Sequence, residues 1–277
     1  MDITVPELLR GASAREYLKI EWDYPVYVPP KAETDEGRTT AKVVRRALSR
    51  EEAIKAIAGD DLRPLLVLRE CKVCNGTDEA LLKGGVDNEK TFLMARWFHC
   101  VKLPVDVMEE DHPFHALFVQ DKAPEHLFVC AVDGTDHDPL ESQTSRTELW
   151  KSMRAMLVKE YKKSPDAALK SSARLMDKLD VADERFIELI DRQNEILEED
   201  GPESKKLPKV AKKLAKAEKE RKDLKADIKK AYEIDLKRKP EVDPSEAAEA
   251  VPTGSGATSG CALGFQFVSR IEGRRPL

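Results

Sequence analysis

The chain has 277 residues, 41% hydrophobic and 36% charged, with 52 acidic against 47 basic side chains and a formal net charge of −5. No stretch approaches the roughly 18 to 20 uninterrupted apolar residues of a membrane-spanning helix, which excludes an integral helical membrane protein. The charged fraction is well above the usual ~25%, so a compact domain with extended helices or tails is expected.

Five cysteines, an odd number, follow an opening Met1-Asp2-Ile3 that is not a basic-then-apolar leader. The expectation is therefore a cytoplasmic chain with reduced thiols, not a disulfide-stapled extracellular domain. Residues 1–50 read as an N-terminal extended arm, with Tyr24-Pro25-Val26-Tyr27-Val28-Pro29-Pro30 suited to strand or polyproline geometry. Ser49-Arg50-Glu51-Glu52 is a capping box, which predicts a short helix through Ile54, Ile57 and Ala58 that ends at Gly59-Asp60-Asp61. Pro64-Leu65-Leu66-Val67-Leu68 is a continuous apolar run of strand length, the pattern of a strand buried on both faces. Further strands are predicted at Phe98 to Leu103 and at Leu127 to Val132. Helices are predicted at Asp78 to Leu82 and at Arg146 to Tyr161, the second with Leu149, Trp150, Met153, Met156 and Leu157 on one face. Strand, helix, strand, strand, helix is an α/β order.

From Asp166 the pattern is helical for about seventy residues. Ser172, Leu175, Leu179, Ala182, Phe186, Leu189, Gln193 and Ile196 alternate spacings of three and four, which makes one continuous seam. Gly201-Pro202 stops it, and Leu207, Val210, Leu214, Ala217, Arg221, Leu224, Ile228 and Ala231 form a second. Asp166 to Ser204 holds twelve acids and five bases, while Lys205 to Lys239 holds fifteen bases and six acids. This split predicts a charged antiparallel helical hairpin over 166–239, with the bases of one helix meeting acids of the other. An acidic Ala/Pro/Gly/Ser-rich linker at 240–260 is expected to be disordered. A C-terminal tail at 261–277 carries Cys261 and an apolar patch at Leu263, Phe265, Phe267 and Val268.

The residues that carry chemistry are Cys71-Lys72-Val73-Cys74. They follow the Pro64 to Leu68 strand by three residues and precede a helical stretch. At a helix N-terminus the unpaired amides and the dipole stabilise a thiolate, and the three-residue offset lets a disulfide open and close. A zinc site would need His99 or Cys100 to complete four ligands, since no second Cys-x-x-Cys or Cys-x-x-His is present. An inert relic in a structural domain is the third reading of the pair. Cys100 and Cys130, inside apolar strand patterns, read as small core residues. His112, His115 and His137 read as surface residues in acidic loops, and Trp97 and Trp150 as core or edge anchors.

Together these residues resemble the thioredoxin-like superfamily over about Ala53 to Lys163. That family's domain runs strand, Cys-x-x-Cys helix, parallel strand, then a cis-proline leading into the next strand, a hairpin partner and a C-terminal helix. Ala123-Pro124-Glu125-His126-Leu127-Phe128-Val129 is similar to the family's Ile-Pro-Thr and following strand, and Gly134 with the Arg146 to Tyr161 helix would complete the domain. The resemblance implies a thioredoxin-like sheet flanked by helices over 51–163. It further implies thiol-disulfide exchange on protein disulfides, with Cys71 as nucleophile, Cys74 as resolving thiol and Pro124 holding the substrate chain. No metal and no cofactor is called for. Typical members have Trp-Cys-Gly-Pro-Cys. Here Glu70 raises and Lys72 lowers the nucleophile's pKa. The family's buried acid, six residues before the first cysteine, falls on Leu65.

Two other partner classes follow from the hairpin. The basic helix invites nucleic-acid binding, but the neighbouring acids, the acidic chain and Tyr232 as sole aromatic for stacking weigh against it. A partner protein or self-association through the hairpin is the alternative to catalysis, with the thioredoxin-like part as scaffold.

Overall fold

The computed structural model describes residues 10–27, 46–70, 81–82, 88–119, 126–141 and 144–238. It is an α/β fold built on a mixed five-stranded sheet. The strands are β1 (Trp22–Asp23), β2 (Leu65–Arg69), β3 (His99–Leu103), β4 (Leu127–Cys130) and β5 (Asp138–Leu140). Their order across the sheet is β1-β3-β2-β4-β5. β1 and β2 both pair in parallel with β3, β4 pairs antiparallel with β2, and β5 pairs antiparallel with β4.

β2 is central and buried along its whole length, as its uninterrupted apolar run requires. Successive strand residues point to opposite faces, so Leu66 and Leu68 join one core with Trp97, Val129, Leu149, Met153 and Leu157. Leu65 and Val67 join another with Ile54, Ile57, Phe114, Phe118 and Phe128. Helix α2 (Arg50–Ala58) covers the second face and α4 (Arg146–Glu160) the first, and each opens on a complete capping box, Ser49 with Glu52 and Ser145 with Glu148. α3 (Glu89–Ala95) leads into β3. Gly134, at φ +78, turns the chain from β4 into β5, and a Cβ there would lie 3.0 Å from the Ile54 side chain. Both conditions select glycine. α4 ends where Tyr161 becomes extended and bridges to Leu236.

Helices α5 (Pro165–Asp200) and α6 (Leu207–Tyr232) follow. Their seam residues Ser172, Leu179, Ala182, Ile196, Val210, Ala217 and Ile228 are all buried. Contacts descend along α6 as they ascend along α5: Asp183 with Arg221, Arg185 with Glu220, Asp200 with Lys206. Those three pairs are the only ion pairs between 183–200 and 204–222 among the described residues, so the expected meeting of bases with acids across the helices occurs at three points. The seams bring apolar side chains together, and the remaining charges sit on the sides turned away.

Within the expected arm, residues 10–27 include α1 (Ala12–Arg15) and strand β1. Ala14, Tyr17 and Leu18 pack against Met176, Leu179 and Ile228 of α5 and α6. Arg10 reaches Glu89 at 2.8 Å and Asp180 at 3.0 Å, so ion pairs tie this segment to α3 and α5. Residues 240–277 lie outside the described residues. No described helix is long and apolar enough to cross a membrane.

Candidate functional site

The candidate site is built from strand ends. Parallel pairing sets Arg69 of β2 beside Leu103 of β3, and Glu70 beyond it donates its amide to the Leu103 carbonyl at 2.9 Å. On the other side, antiparallel pairing runs from Leu65 with Cys130 to Leu68 with Leu127. The Arg69 amide then donates to the His126 carbonyl at 2.9 Å. Described chain stops at Glu70 and resumes at Leu81, and stops at Val119 and resumes at His126. Cys71, Lys72, Cys74 and Pro124 therefore lie outside the described residues, as does most of the helix expected at Asp78 to Leu82. Glu70 and His126, to which the two segments attach, stand at one end of the sheet.

The described residues there carry charge over an apolar floor. Lys102 Nζ is 3.7 Å from Glu70 Oε1 and 5.8 Å from the Trp22 ring centroid. Arg69 is buried with its guanidinium 5.9 Å from the Phe118 ring centroid. Burial, and then the Arg69 charge, lower the His126 pKa below the ordinary histidine value, so its imidazole is neutral at pH 7. Leu68, Leu81, Leu103 and Leu127 are fully buried beneath. Sequence reasoning passed over Arg69 and His126. The signal for His126 was its place two residues after Pro124, while nothing in the sequence marks Arg69 as a buried charge.

Other residues singled out in the sequence stand away from this end. His99 and Cys100 begin β3, opposite Leu65 and Leu66, four and three residues from Leu103. At about 3.3 Å per residue they are roughly 10 to 13 Å from the strand ends that lead to Cys71. His99 Nε2 lies 3.2 Å from Asp23 Oδ2, and the Cys100 thiol donates to the Ala95 carbonyl at 3.4 Å. Burial pushes the Cys100 and Cys130 thiols up to about 12, so both are protonated core groups. Leu65, where the resembled family keeps an acid, is fully buried among apolar side chains.

His112 is buried, and its Nδ1 accepts the Phe114 amide at 3.1 Å. His137 is half-buried, its ring 4.7 Å from that of Phe128. Both correct the surface assignment: His112 packs beside Phe114, and His137 against Phe128 of β4. Tyr232 packs at 5.5 Å against Trp97, with the Arg96 guanidinium 4.6 Å from its ring centroid. It is turned inward and not offered for base stacking.

No family model, no curated protein and no solved structure matches the chain.

Proposed function

We propose that this chain is a thioredoxin-like thiol-disulfide oxidoreductase acting on protein disulfides through Cys71 and Cys74, in a reducing compartment such as the cytoplasm. In this reading the sheet is the thioredoxin-like body, and α5 with α6 is a charged antiparallel hairpin attached to it. One observation carries the reading: the Arg69 amide bonded to the His126 carbonyl. It ties together the strand ends from which the Cys-x-x-Cys segment departs and to which the Pro124 segment returns. The parallel β2/β3 pair, the β4/β5 hairpin and the closing α4 helix also follow the element order that the resemblance implies.

The chemistry is a two-step exchange. The Cys71 thiolate attacks one sulfur of a substrate disulfide, forming a mixed disulfide and releasing the other sulfur as thiolate. The Cys74 thiolate then attacks Cys71 Sγ, releasing the second substrate thiolate and leaving a Cys71–Cys74 disulfide. Two electrons pass from the pair to the substrate, and an external dithiol returns them. Pro124 holds the substrate chain against Cys71. With Leu65 in place of a carboxylate, the proton at Cys74 goes to solvent or to the neutral His126 imidazole.

Reduction of a disulfide-bonded model protein, driven by dithiothreitol, tests this. Cys71→Ser abolishes turnover, and Cys74→Ser accumulates a mixed disulfide visible by mass. A Cys71→Ser protein with undiminished activity would overturn the proposal. A second reading, a non-catalytic scaffold whose helical hairpin binds a partner, draws on Leu65, because an apolar group at that position supplies no proton acceptor. It predicts no turnover from the unmodified chain.

A further inference from the structure

The outward faces of α5 and α6 carry matched stripes of opposite charge. On α5, Glu184, Glu188, Asp191, Glu195 and Glu198 recur at spacings of four and three, all exposed. On α6, Lys209, Lys212, Lys216 and Lys219 recur at the same spacings, all exposed, with Lys205 one step ahead in the turn. At about 3.6 residues per turn each set falls on the side of its helix roughly opposite the buried seam. Of these ten side chains only Glu195 has an ion pair among the described residues, with Arg192 of its own helix. Beyond Asp183 and Arg221, the side-chain hydrogen bonds and ion pairs of the two helices among the described residues run within one helix or between the two. The packing of α1 lies before this part on α5 and after it on α6, at Met176, Leu179 and Ile228.

The two stripes also agree in length and level. Each spans fourteen residues' worth of sequence, about 21 Å at 1.5 Å per residue. Arg185 with Glu220 marks one end of both, and Asp200 with Lys206 marks the other.

We propose that the acidic face of α5 on one copy of this chain docks against the basic face of α6 on the next. The complementarity lies within one sequence: five acids and five lysines, equal in span and height, on opposite sides of one arm. A two-fold contact through either stripe would set like charge on like. The contact is therefore head-to-tail, and each added copy leaves one face open at either end. Nucleic acid is the poorer occupant of the lysine stripe. The stripe contains no arginine for bidentate phosphate contacts and no aromatic for stacking, and an acidic stripe lies one helix away. This inference does not depend on the thiol chemistry.

The test is sedimentation velocity of the full chain with reductant present, across a concentration series. At about 10 mM salt, where the Debye length is about 30 Å, weight-average mass should climb with concentration past that of a dimer. At about 1 M salt, where it is about 3 Å, the chain should be monomeric. Two folded variants complete the test. One carries Lys209→Glu, Lys212→Glu, Lys216→Glu and Lys219→Glu; the other carries Glu188→Lys, Asp191→Lys, Glu195→Lys and Glu198→Lys. Each alone should be monomeric at low salt, and their equimolar mixture should assemble. A wild-type monomer at every concentration, a plateau at dimer, assembly that persists at high salt or a mixture that stays monomeric would each overturn the proposal. So would capture of a short DNA duplex by a chain that does not self-associate.

Discussion

Lys102 Nζ lies 3.7 Å from Glu70 Oε1, and Glu70 is the residue that precedes Cys71. The carboxylate raises the pKa of a thiol beside it, and the ammonium on β3 offsets part of that charge. In a Cys74→Ser background, Glu70→Gln is predicted to move the pH profile of Cys71 alkylation down. Lys102→Met should move it up. Glu70 is partly exposed, so each displacement is expected to be roughly half a pH unit. Iodoacetamide labelling followed by mass spectrometry reads both, and a profile that ignores both substitutions would contradict the assignment of these side chains to the site.

The two described thiols, Cys100 and Cys130, should be silent in the same experiment. Burial holds the Cys100 and Cys130 thiols at about 12, so at pH 8 neither offers a thiolate nor a path for the reagent. Native labelling should leave both unmodified and guanidinium should expose both. Modification of either in the folded protein, at the rate of a free thiol, would count against the packing described for β3 and β4.

His137 sets an acid limb on stability. Burial first and the Arg50 charge second lower its pKa from 6.5 to about 4. The unfolded chain takes up a proton between those values that the folded chain does not. Its contribution is present in full above about 6.5 and is lost as pH falls towards about 4. His126, lowered in the same direction, adds to the slope. Urea titrations of His137→Gln at pH 7 and pH 5 should show a smaller difference in stability than the parent protein shows. An unchanged difference would place the pH dependence elsewhere.

The residue that follows α4 joins distant parts of the chain. Tyr161, buried, donates its hydroxyl to the Trp97 carbonyl at 2.7 Å, and the Trp97 indole donates to the Tyr232 carbonyl at 2.9 Å. Tyr161→Phe removes one donor and leaves a buried acceptor, so a loss of about 1–3 kcal/mol is expected in chemical denaturation. A change within error would mean that solvent reaches that carbonyl.

What the sequence made legible is what depends on period and on local caps. β2 follows from an uninterrupted apolar run, and α5 and α6 follow from seams sustained over many turns, whose members from Ser172 to Ala231 are the inward-facing ones. The capping box of Ser49 and Glu52 could be read residue by residue; that of Ser145 and Glu148 was seen only in the structure. β1 could not be read: two residues, Trp22 and Asp23, carry no period, and only pairing with β3 makes them a strand. Nor could the packing of Tyr232, because its neighbours Trp97 and Arg96 come from a distant part of the chain. The charge stripes of α5 and α6 were visible as counts, but their direction follows only once the seams fix each helix's rotation. At the site, sequence named Cys71, Cys74 and Pro124, and the described residues supply the paired strand ends Glu70 and His126 to which they attach.

Redox titration of the purified chain, with thiol alkylation and mass spectrometric localisation, reads the cysteine pair itself. A reversible Cys71–Cys74 disulfide is expected, with a midpoint between roughly −270 and −120 mV, the range of known oxidoreductases. Thiols at 71 and 74 that stay reduced at every poise, or that are held by zinc, would contradict it.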